Sequence, residues 1–372
     1  MNKQQPPYDW QNIFFLSLVH VAAVVGLATY LPLHGLSWAA AFVFALMTVL
    51  TIFCISAGYH RLFSHKSYES HPVFRFFLLA FGAGAFQNSA LAWATDHRRH
   101  HARTDTDLDP YSVNGGFWHA HVGWVLRKTD ESITPPPVRD LERDPLVMWQ
   151  ARHYPLIGVV TGVIFPTLLG WALGDAIGGF VMGAAVRLMV CYHTTFSINS
   201  LAHMWGTQPY SDKNSSRDSF VVALISMGEG YHNFHHTFPS DYRNGVRRHQ
   251  FDPTKWILFG LSSVGVVSNL RRTSQPTIVR ARVRMDERRL EGLALPADER
   301  EKLAAVRTAI DRATDRFHEL MSRYETLKRD ASDHARALLR ELRAQLRAAQ
   351  RELRAAHQAW RELLRSRNLV PA

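Results

Sequence analysis

Cysteine is nearly absent from this chain, with two in 372 residues. Cys54 and Cys191 both lie inside apolar runs, so the chain has no disulfide framework, no thiolate zinc site and no iron–sulfur cluster to organise it. Acidic residues are outnumbered, 32 against 43 Lys and Arg, which leaves a formal charge of +11. A surplus of that sign suits a nucleic-acid binder or a membrane protein with a basic inner face. The long apolar runs favour the second, and no nucleic-acid partner is expected. The opening MNKQQPPYDWQN has no signal-peptide cleavage pattern.

What is present is apolar sequence in span-length blocks. A helical span needs about 20 mostly apolar residues. Residues 13–32 and 38–58 qualify, separated by a short loop, and 156–174 and 177–198 form a second pair joined near Asp175. The spacing predicts an all-α, polytopic membrane protein with four transmembrane helices. Arg187, inside the fourth span, should face the bundle or snorkel. Residues 72–94 are apolar too, yet histidines flank them on both sides. If both flanks serve one site they lie on one membrane face, and about 30 residues cannot cross twice. This stretch should therefore lie in the interface or dip in and return. Residues 256–267 are too short to span and read as interfacial. The outer loops, 33–37 and 175–176, contain no Lys or Arg, whereas the opposite face carries Arg61, Lys66, Arg98, Arg99, Arg103, Arg127 and Lys128. The positive-inside rule makes that face, both termini and every histidine cluster cytoplasmic.

Histidine accounts for 20 residues, and the pattern His-x-x-His-His occurs twice: His97, His100, His101 and His232, His235, His236. On a helix, positions i, i+3 and i+4 share one face, so each triplet aims three imidazoles at one point. Two further clusters lie at the inner ends of spans: His60 with His65, and Asn199 with His203. Imidazole is the commonest protein ligand for zinc, copper, nickel and iron. One metal takes four to six ligands, so nine imidazoles imply two metals, with a helical cap on the cytoplasmic face holding the dimetal site. The ring N–H groups need acceptors behind them. Asp96, Asp105, Asp107, Asp109, Asp218 and Glu229 are near enough in sequence, with Asp96 and Glu229 the best placed. His20, His71, His119, His121 and His153 read as span, loop or interfacial residues. His193 reads as bundle-facing, with a supporting role at the metals as the other option.

These residues resemble the membrane-bound fatty acid desaturases of the stearoyl-CoA (acyl-CoA) Δ9 type. The matching motifs are HRLFSH at 60–65, AFQN at 85–88, WATDHRRHH at 93–101, GFWHAHVGW at 116–124, NSLAHMWG at 199–206 and GEGYHNFHH at 228–236. The match runs in order from about residue 10 to 260. The resemblance implies two iron ions, with O₂ as co-substrate, that leave a cis double bond in a saturated acyl chain. It places the ligands at His60, His65, His97, His100, His101, His203, His232, His235 and His236, with Asn199 reaching a metal through water. It implies a bent acyl tunnel with Gln87, Trp93 and Thr195 at the bend, and Asn88, Asp96, Arg127 and Lys128 at the carrier end. Thr95 and Phe196 depart from the family's Arg and Trp at the head-group end. Acyl-CoA, acyl-lipid and acyl-carrier protein therefore all stay open as substrate forms. His71-Pro72 lacks the Gly-Gly of a b-type cytochrome motif, so electrons are expected from a separate ferredoxin, b-type cytochrome or flavin reductase. A histidine-box hydroxylase of alkanes, sterols or carotenoids is the alternative enzyme, and a metal transporter the alternative class.

The sequence divides into a desaturase-like part, 1–275, and a charged helical tail, 276–372. In the tail, Asp298 and Glu301 suggest a capping box. Small or apolar residues recur at 303, 306, 310, 313, 317, 320, 324, 327 and 331, then at 342, 346, 349, 353, 356, 360 and 363. This is a heptad seam with one slip. It fits self-association as a coiled coil, docking of a redox partner, a hairpin folding back near residues 330–335, or an amphipathic helix on anionic lipid.

Overall fold

The computed structural model describes residues 6–128, 138–291, 293–328 and 333–366. Two compact units emerge, Met1–Gln208 with Asp212–Arg272, and Pro209–Ser211 with Thr273–Ala372. The first holds four helices long and apolar enough to cross a membrane. In chain order its main elements are α1 (Trp10–His34), α2 (Trp38–Ser64), α3 (Pro72–Ala83), α4 (Ala90–Arg103), α5 (Pro145–Ala172), α6 (Ala176–Met204), α7 (His232–Thr237) and α8 (Pro253–Ser263), with α1, α2, α5 and α6 as the candidate spans. The protein is thus a multi-pass, all-helical membrane protein, as its apolar blocks indicate.

Local capping explains the helix ends. The Asp9 carboxylate accepts from the Asn12 amide and starts α1; Ser37 Oγ accepts from the Ala40 amide and starts α2. At the far end of the bundle, Asp175 Oδ2 accepts from the hydroxyls of Tyr30 and Ser37, both at 2.5 Å, while its Oδ1 accepts from the Gly178 amide at 2.7 Å. One carboxylate therefore joins the two outer turns. Each of the four spans extends past its sequence bounds at one end or both, the third at its start only, since it ends at Ala172. The third begins eleven residues earlier than expected, at Pro145, because Asp144 caps it with bonds from the Leu146 and Val147 amides.

The stretch expected as one interfacial segment, 72–94, is two helices with a break. α3 stops at Ala83, Phe86 and Asn88 take positive φ (52° and 73°), and Ser89 then caps α4. Broken backbone at membrane depth is tolerated only where its polar groups find partners inside the protein. Arg187 supplies them. It is fully buried, and its guanidinium donates to the carbonyls of Gly84 at 2.7 Å, Gly162 at 2.5 Å and Gly183 at 3.0 Å. Of the two expectations for Arg187, facing the bundle is the one observed. The other short apolar stretch forms α8, and Val267–Ser268 beyond it pairs antiparallel with Glu69–Ser70.

The second unit is a bundle of α9 (Gln275–Leu290), α10 (Ala297–Leu327) and α11 (Asp333–Arg365). The proposed capping box is not formed. α10 starts one residue before Asp298, with Pro296 at the cap position, and Asp298 pairs instead with Lys302 at 3.1 Å. The seam residues face each other across an antiparallel pair: Phe317 and Leu320 cluster with Leu342, Leu346 and Ala349, and Ile310 and Ala313 with Leu353 and Trp360. Seam position 331, and most of the turn expected near 330–335, lie outside the described residues. Trp360, fully buried, donates its indole N–H to Asp286 Oδ2 at 3.1 Å. Among the described residues of this unit, Leu293 is the only large apolar side chain left exposed.

Replacing Arg187 with Leu should strip donors from the buried Gly84 and Gly162 carbonyls, at a cost of about 1–3 kcal/mol for each group left unpaired. The expected outcome is a lower thermal midpoint in detergent, read by size-exclusion fluorescence. An unchanged midpoint would show that those carbonyls have other donors.

Candidate metal centre

His60 and His65 are five residues apart, which on a regular α-helix would put them on different faces. The last eleven residues of α2, Cys54–Ser64, are wound as a π-helix, and every one of them is buried. In that winding the hydrogen bond spans five residues, and the His65 amide indeed donates to the His60 carbonyl at 3.2 Å. The two rings meet with centroids 4.9 Å apart. α4 presents His97, His100 and His101 at regular helical spacing. α7 presents His232, His235 and His236 from only six residues, so its placement depends on the turn before it. Gly228 takes φ +106°, and a Cβ on Gly230 would lie 2.1 Å from the Ala223 amide nitrogen. No other residue type fits at that second position.

All nine imidazoles come together in two groups. His60, His65, His97, His101 and His235 form one, and His100, His203, His232 and His236 form the other; within each group one nitrogen per ring lies within 4.8 Å of all the rest. The closest approaches all join Nε2 to Nε2: His65 to His97 at 2.8 Å, His60 to His235 and His101 to His235 at 2.9 Å, His232 to His236 at 3.1 Å, and His100 to His236 at 3.2 Å. His203 Nε2 is buried with no hydrogen-bond partner among the described residues.

On three rings the opposite nitrogen has a partner: His60 Nδ1 pairs with Glu229 Oε2 at 2.7 Å, His100 Nδ1 donates to Asp109 Oδ1 at 2.8 Å, and His203 Nδ1 donates to Ser215 Oγ at 2.8 Å. The Ser215 hydroxyl in turn donates to Asp105 at 2.6 Å. With Nδ1 donating outward, Nε2 carries a lone pair inward. Burial comes first among the causes that hold His65, His97, His101, His235 and His236 well below the usual imidazole range, with charge repulsion between neighbouring rings adding to it; His232 is pushed down to about 3 in the same way. These six rings are thereby biased toward the neutral, ligating form. Convergent lone pairs at these separations repel unless a cation sits among them. An all-imidazole donor set fits a first-row transition metal and not calcium or magnesium.

Glu229 sits in a buried network that individual sequence motifs gave no sign of. Burial alone would raise its pKa, but His60 and Arg61 hold it well below the usual carboxylate range. It pairs with Arg61 at 3.0 Å, accepts from Asn244 Nδ2 at 2.7 Å, and also accepts from the Ser56 hydroxyl. Arg61 pairs on its other side with the fully buried Asp252 at 3.0 Å. Asp96 does not take the acceptor role expected of it. Its pairing is with Arg99 at 3.5 Å, and Asp109 is the carboxylate behind the first triplet, at His100. Asp218 anchors the start of α7 through the Phe234 amide at 3.0 Å. His193 is exposed instead of bundle-facing, and contacts His20 and His121.

A cavity of about 570 Å³ opens beside the imidazoles, lined by His60, His97, His100, His232 and Asn199 on one side and by Phe15, Phe86, Tyr192 and Ile198 on the other. Gln87, Asn88, Trp93, Asp96, Arg127 and Thr195 all line it as well. Three of these are linked: Gln87 Nε2 donates to Thr195 Oγ1 at 2.9 Å, and the Trp93 indole donates to Gln87 Oε1 at 3.4 Å. Trp93 stacks on His97 with centroids 4.9 Å apart. A narrower void beyond, lined by Thr51, Ile52 and Cys191, shares Gln87 and Thr195 with the cavity. Lys128 does not line the cavity; its amide bonds the Pro7 carbonyl at 3.0 Å and its side chain is exposed. The Arg127 guanidinium donates to the Pro6 carbonyl at 2.8 Å and lies over the Tyr8 ring.

Fold and site together define a helical membrane protein with nine imidazoles gathered beside a largely apolar cavity. A family model described as fatty acid desaturase matches residues 36–262. The chain is 42% identical over 280 residues to a probable acyl-CoA desaturase of Schizosaccharomyces pombe, covering 72% of this chain and 57% of that one. It is 41% identical over 238 residues to acyl-CoA desaturase 1 of Saccharomyces cerevisiae, covering 63% and 47%, and 34% identical over 275 residues to stearoyl-CoA desaturase 5 of Bos taurus, covering 72% and 81%. The chain thus spans about half the length of the two yeast proteins and most of the bovine one. It belongs to the fatty acid desaturase family.

The purified protein should carry two transition-metal ions per chain by elemental analysis. Asp109→Asn and Ser215→Ala, which loosen the hold on His100 and His203, should weaken metal retention by about 10–100-fold without loss of helix content by circular dichroism. Undiminished metal in both variants would show that these supports do not orient ligands.

Proposed function

We propose that the protein is an O₂-dependent fatty acyl desaturase with two iron ions. It introduces a cis double bond into a saturated chain, with Δ9 of an acyl-CoA as the favoured substrate and an external protein as electron donor. The supporting observation is that one cavity carries both the histidine face and the hydrogen-bonded Trp93–Gln87–Thr195 set. An unactivated methylene needs an oxidant stronger than any side chain, and the iron pair, when bound, supplies that chemistry. The remaining work falls to the chain's own residues. His60, His65, His97, His101 and His235 would hold one ion, and His100, His203, His232 and His236 the other, with Asn199 within reach through water. The apolar walls take the acyl tail out of water. Trp93, Gln87 and Thr195 fix where the tail turns, and so which carbon lies at the imidazole face. A slip of one carbon would misplace the reacting bond. Asn88, Asp96 and Arg127 line the end where a carrier group would sit, and Lys128 would reach it from outside the cavity.

The names of the relatives support acyl-CoA as the carried form, and the basic residues near the mouth suit its phosphates. The catalytic face and both termini are assigned to the cytoplasm, because Lys and Arg are absent from both outer loops.

Expression in a host lacking its own desaturase, followed by gas chromatography of total fatty acids, tests the proposal. Unsaturated product, formed by loss of two hydrogens, is expected. Gain of one oxygen in its place would assign the chain as a hydroxylase. His100→Ala or His235→Ala should abolish product while leaving the protein in the membrane fraction, and a fully active His235→Ala enzyme would falsify the ligand set. Thr195→Val or Trp93→Phe should lower yield by roughly tenfold or shift chain preference, because the bend loses a contact that aligns the reacting carbon. An unaltered profile in both would remove those residues from the tunnel.

A further inference from the structure

α11 carries eight arginines, and seven of them, Arg340, Arg343, Arg347, Arg351, Arg354, Arg361 and Arg365, are exposed. Their steps of three, four or seven residues place them within about 80° of arc along roughly 38 Å of helix. The one remaining position in the stripe is Gln358, and α11 contains no lysine. The acidic residues of the described helix face, Glu341, Glu352 and Glu362, lie off the stripe. Among the described residues, none of the seven has a carboxylate at ion-pair distance; Arg343 bonds the Tyr324 hydroxyl at 3.0 Å. Elsewhere in the bundle Arg280 pairs with Asp311 and Asp315, Arg307 with Glu287 and Asp311, and Arg316 with Glu352. Like charges three or four residues apart cost a helix about 0.2–0.5 kcal/mol per pair. The stripe contains five such pairs, four of them consecutive, and among the described residues no carboxylate offsets them. The local field is also visible at His357, where burial first, and then Arg282 and Arg361, push the imidazole down to about 4.

The stripe is the free face of α11. Its apolar face is closed against α10, with Leu342, Leu346, Leu353, Trp360 and Leu364 all buried. Helices that adsorb to lipid pair a basic face with exposed apolar side chains, and this bundle exposes only Leu293 among its described large apolar residues. The choice of arginine over lysine favours planar, two-pronged contacts to carboxylates. A rigid row of such groups is complementary to an acidic protein face. The reaction proposed above takes up two electrons per turn from an external donor.

We propose that the α11 arginine stripe is the docking surface for an acidic electron-carrier protein, and so rests on the desaturase reading for the partner's role. Docking of this kind raises association rates and weakens with salt. It also holds the carrier on the same chain as the metal centre, which raises its effective concentration.

The test uses the full-length protein in nanodiscs of neutral phosphatidylcholine, with an acidic [2Fe–2S] ferredoxin as probe and binding followed by biolayer interferometry. Affinity should fall steeply with added salt. Arg343→Gln, Arg347→Gln, Arg351→Gln and Arg354→Gln together should raise the dissociation constant by about tenfold or more. The same four positions changed to Lys should retain the salt dependence with a smaller loss, which separates charge from misfolding. Unchanged affinity in the Gln variant overturns the proposal. So does loss of capture of phosphatidylglycerol vesicles with ferredoxin affinity intact, which would assign the stripe to lipid. Because binding is read without turnover, a wild type that binds in this way yet forms no unsaturated product would overturn the desaturase reading and leave the docking surface in place.

Discussion

Nine imidazole lone pairs are forced into two volumes each less than 5 Å across, and most of the first unit can be understood as the scaffold this requires. Each ring must be neutral, must face inward through Nε2, and must be held by something behind it. Burial and mutual repulsion favour the neutral form at His65, His97, His101, His232, His235 and His236. Orientation comes from partners behind the rings: buried Glu229 for His60, buried Asp109 for His100, and half-buried Ser215 backed by Asp105 for His203. Those acceptors need support of their own, because a buried carboxylate is costly unless fully bonded. Arg61 and Asp252 meet that need at Glu229, and the amides of Asp105 and Tyr111 meet it at Asp109. The polar network is deep because every shell creates a requirement for the next.

The same logic accounts for the irregular backbone. Regular α-helix cannot bring His60 and His65 to one site, so the end of α2 winds as π-helix. A continuous helix over 72–94 would leave no opening for a cavity between the bend residues and the histidine face. The break at Phe86 and Asn88 frees Gln87 to reach Thr195, and Arg187 satisfies the carbonyls that the break exposes. Strain and irregularity collect where the site is built, and are compensated by residues several helices away.

This explains which parts could be read from the chain. The two triplets were legible because i, i+3, i+4 is a property of the helix itself, and the spans were legible because lipid imposes length and composition. The π-winding was not, since nothing in HRLFSH marks a change of pitch. Asp109 was ranked below Asp96, although both lie near the first triplet, because sequence proximity carries no direction. Ser215 and Asp252 act across long sequence separations that motif spacing does not reveal. In the tail the seam residues were recognisable as apolar, yet an apolar stripe looks the same whether its partner is another chain or the next helix. Here the partner is the adjacent helix.

The histidines outside the two groups show why residue type alone does not define a ligand. His20, His193 and His121 also lie within about 3 Å of one another in series, and His121 continues to Ser200 at 3.0 Å. Their geometry differs in kind. His20 Nδ1 lies 2.7 Å from the Leu16 carbonyl, so it must be the donor. Its Nε2 then accepts from His193 Nε2, and His193 Nδ1 accepts from His121 Nε2, while the Ser200 hydroxyl beside His121 Nδ1 donates to the Phe196 carbonyl at 2.8 Å. Each ring-to-ring contact has one donor and one acceptor, so the series needs no added cation. In the two groups of nine, the nitrogens behind the rings are the donors wherever their partner is a carboxylate, and those in front have only one another to face. A ladder of alternating roles closes on itself, whereas a set of converging acceptors has to be completed by a positive charge, and that asymmetry separates the metal centre from the other histidines of the same chain.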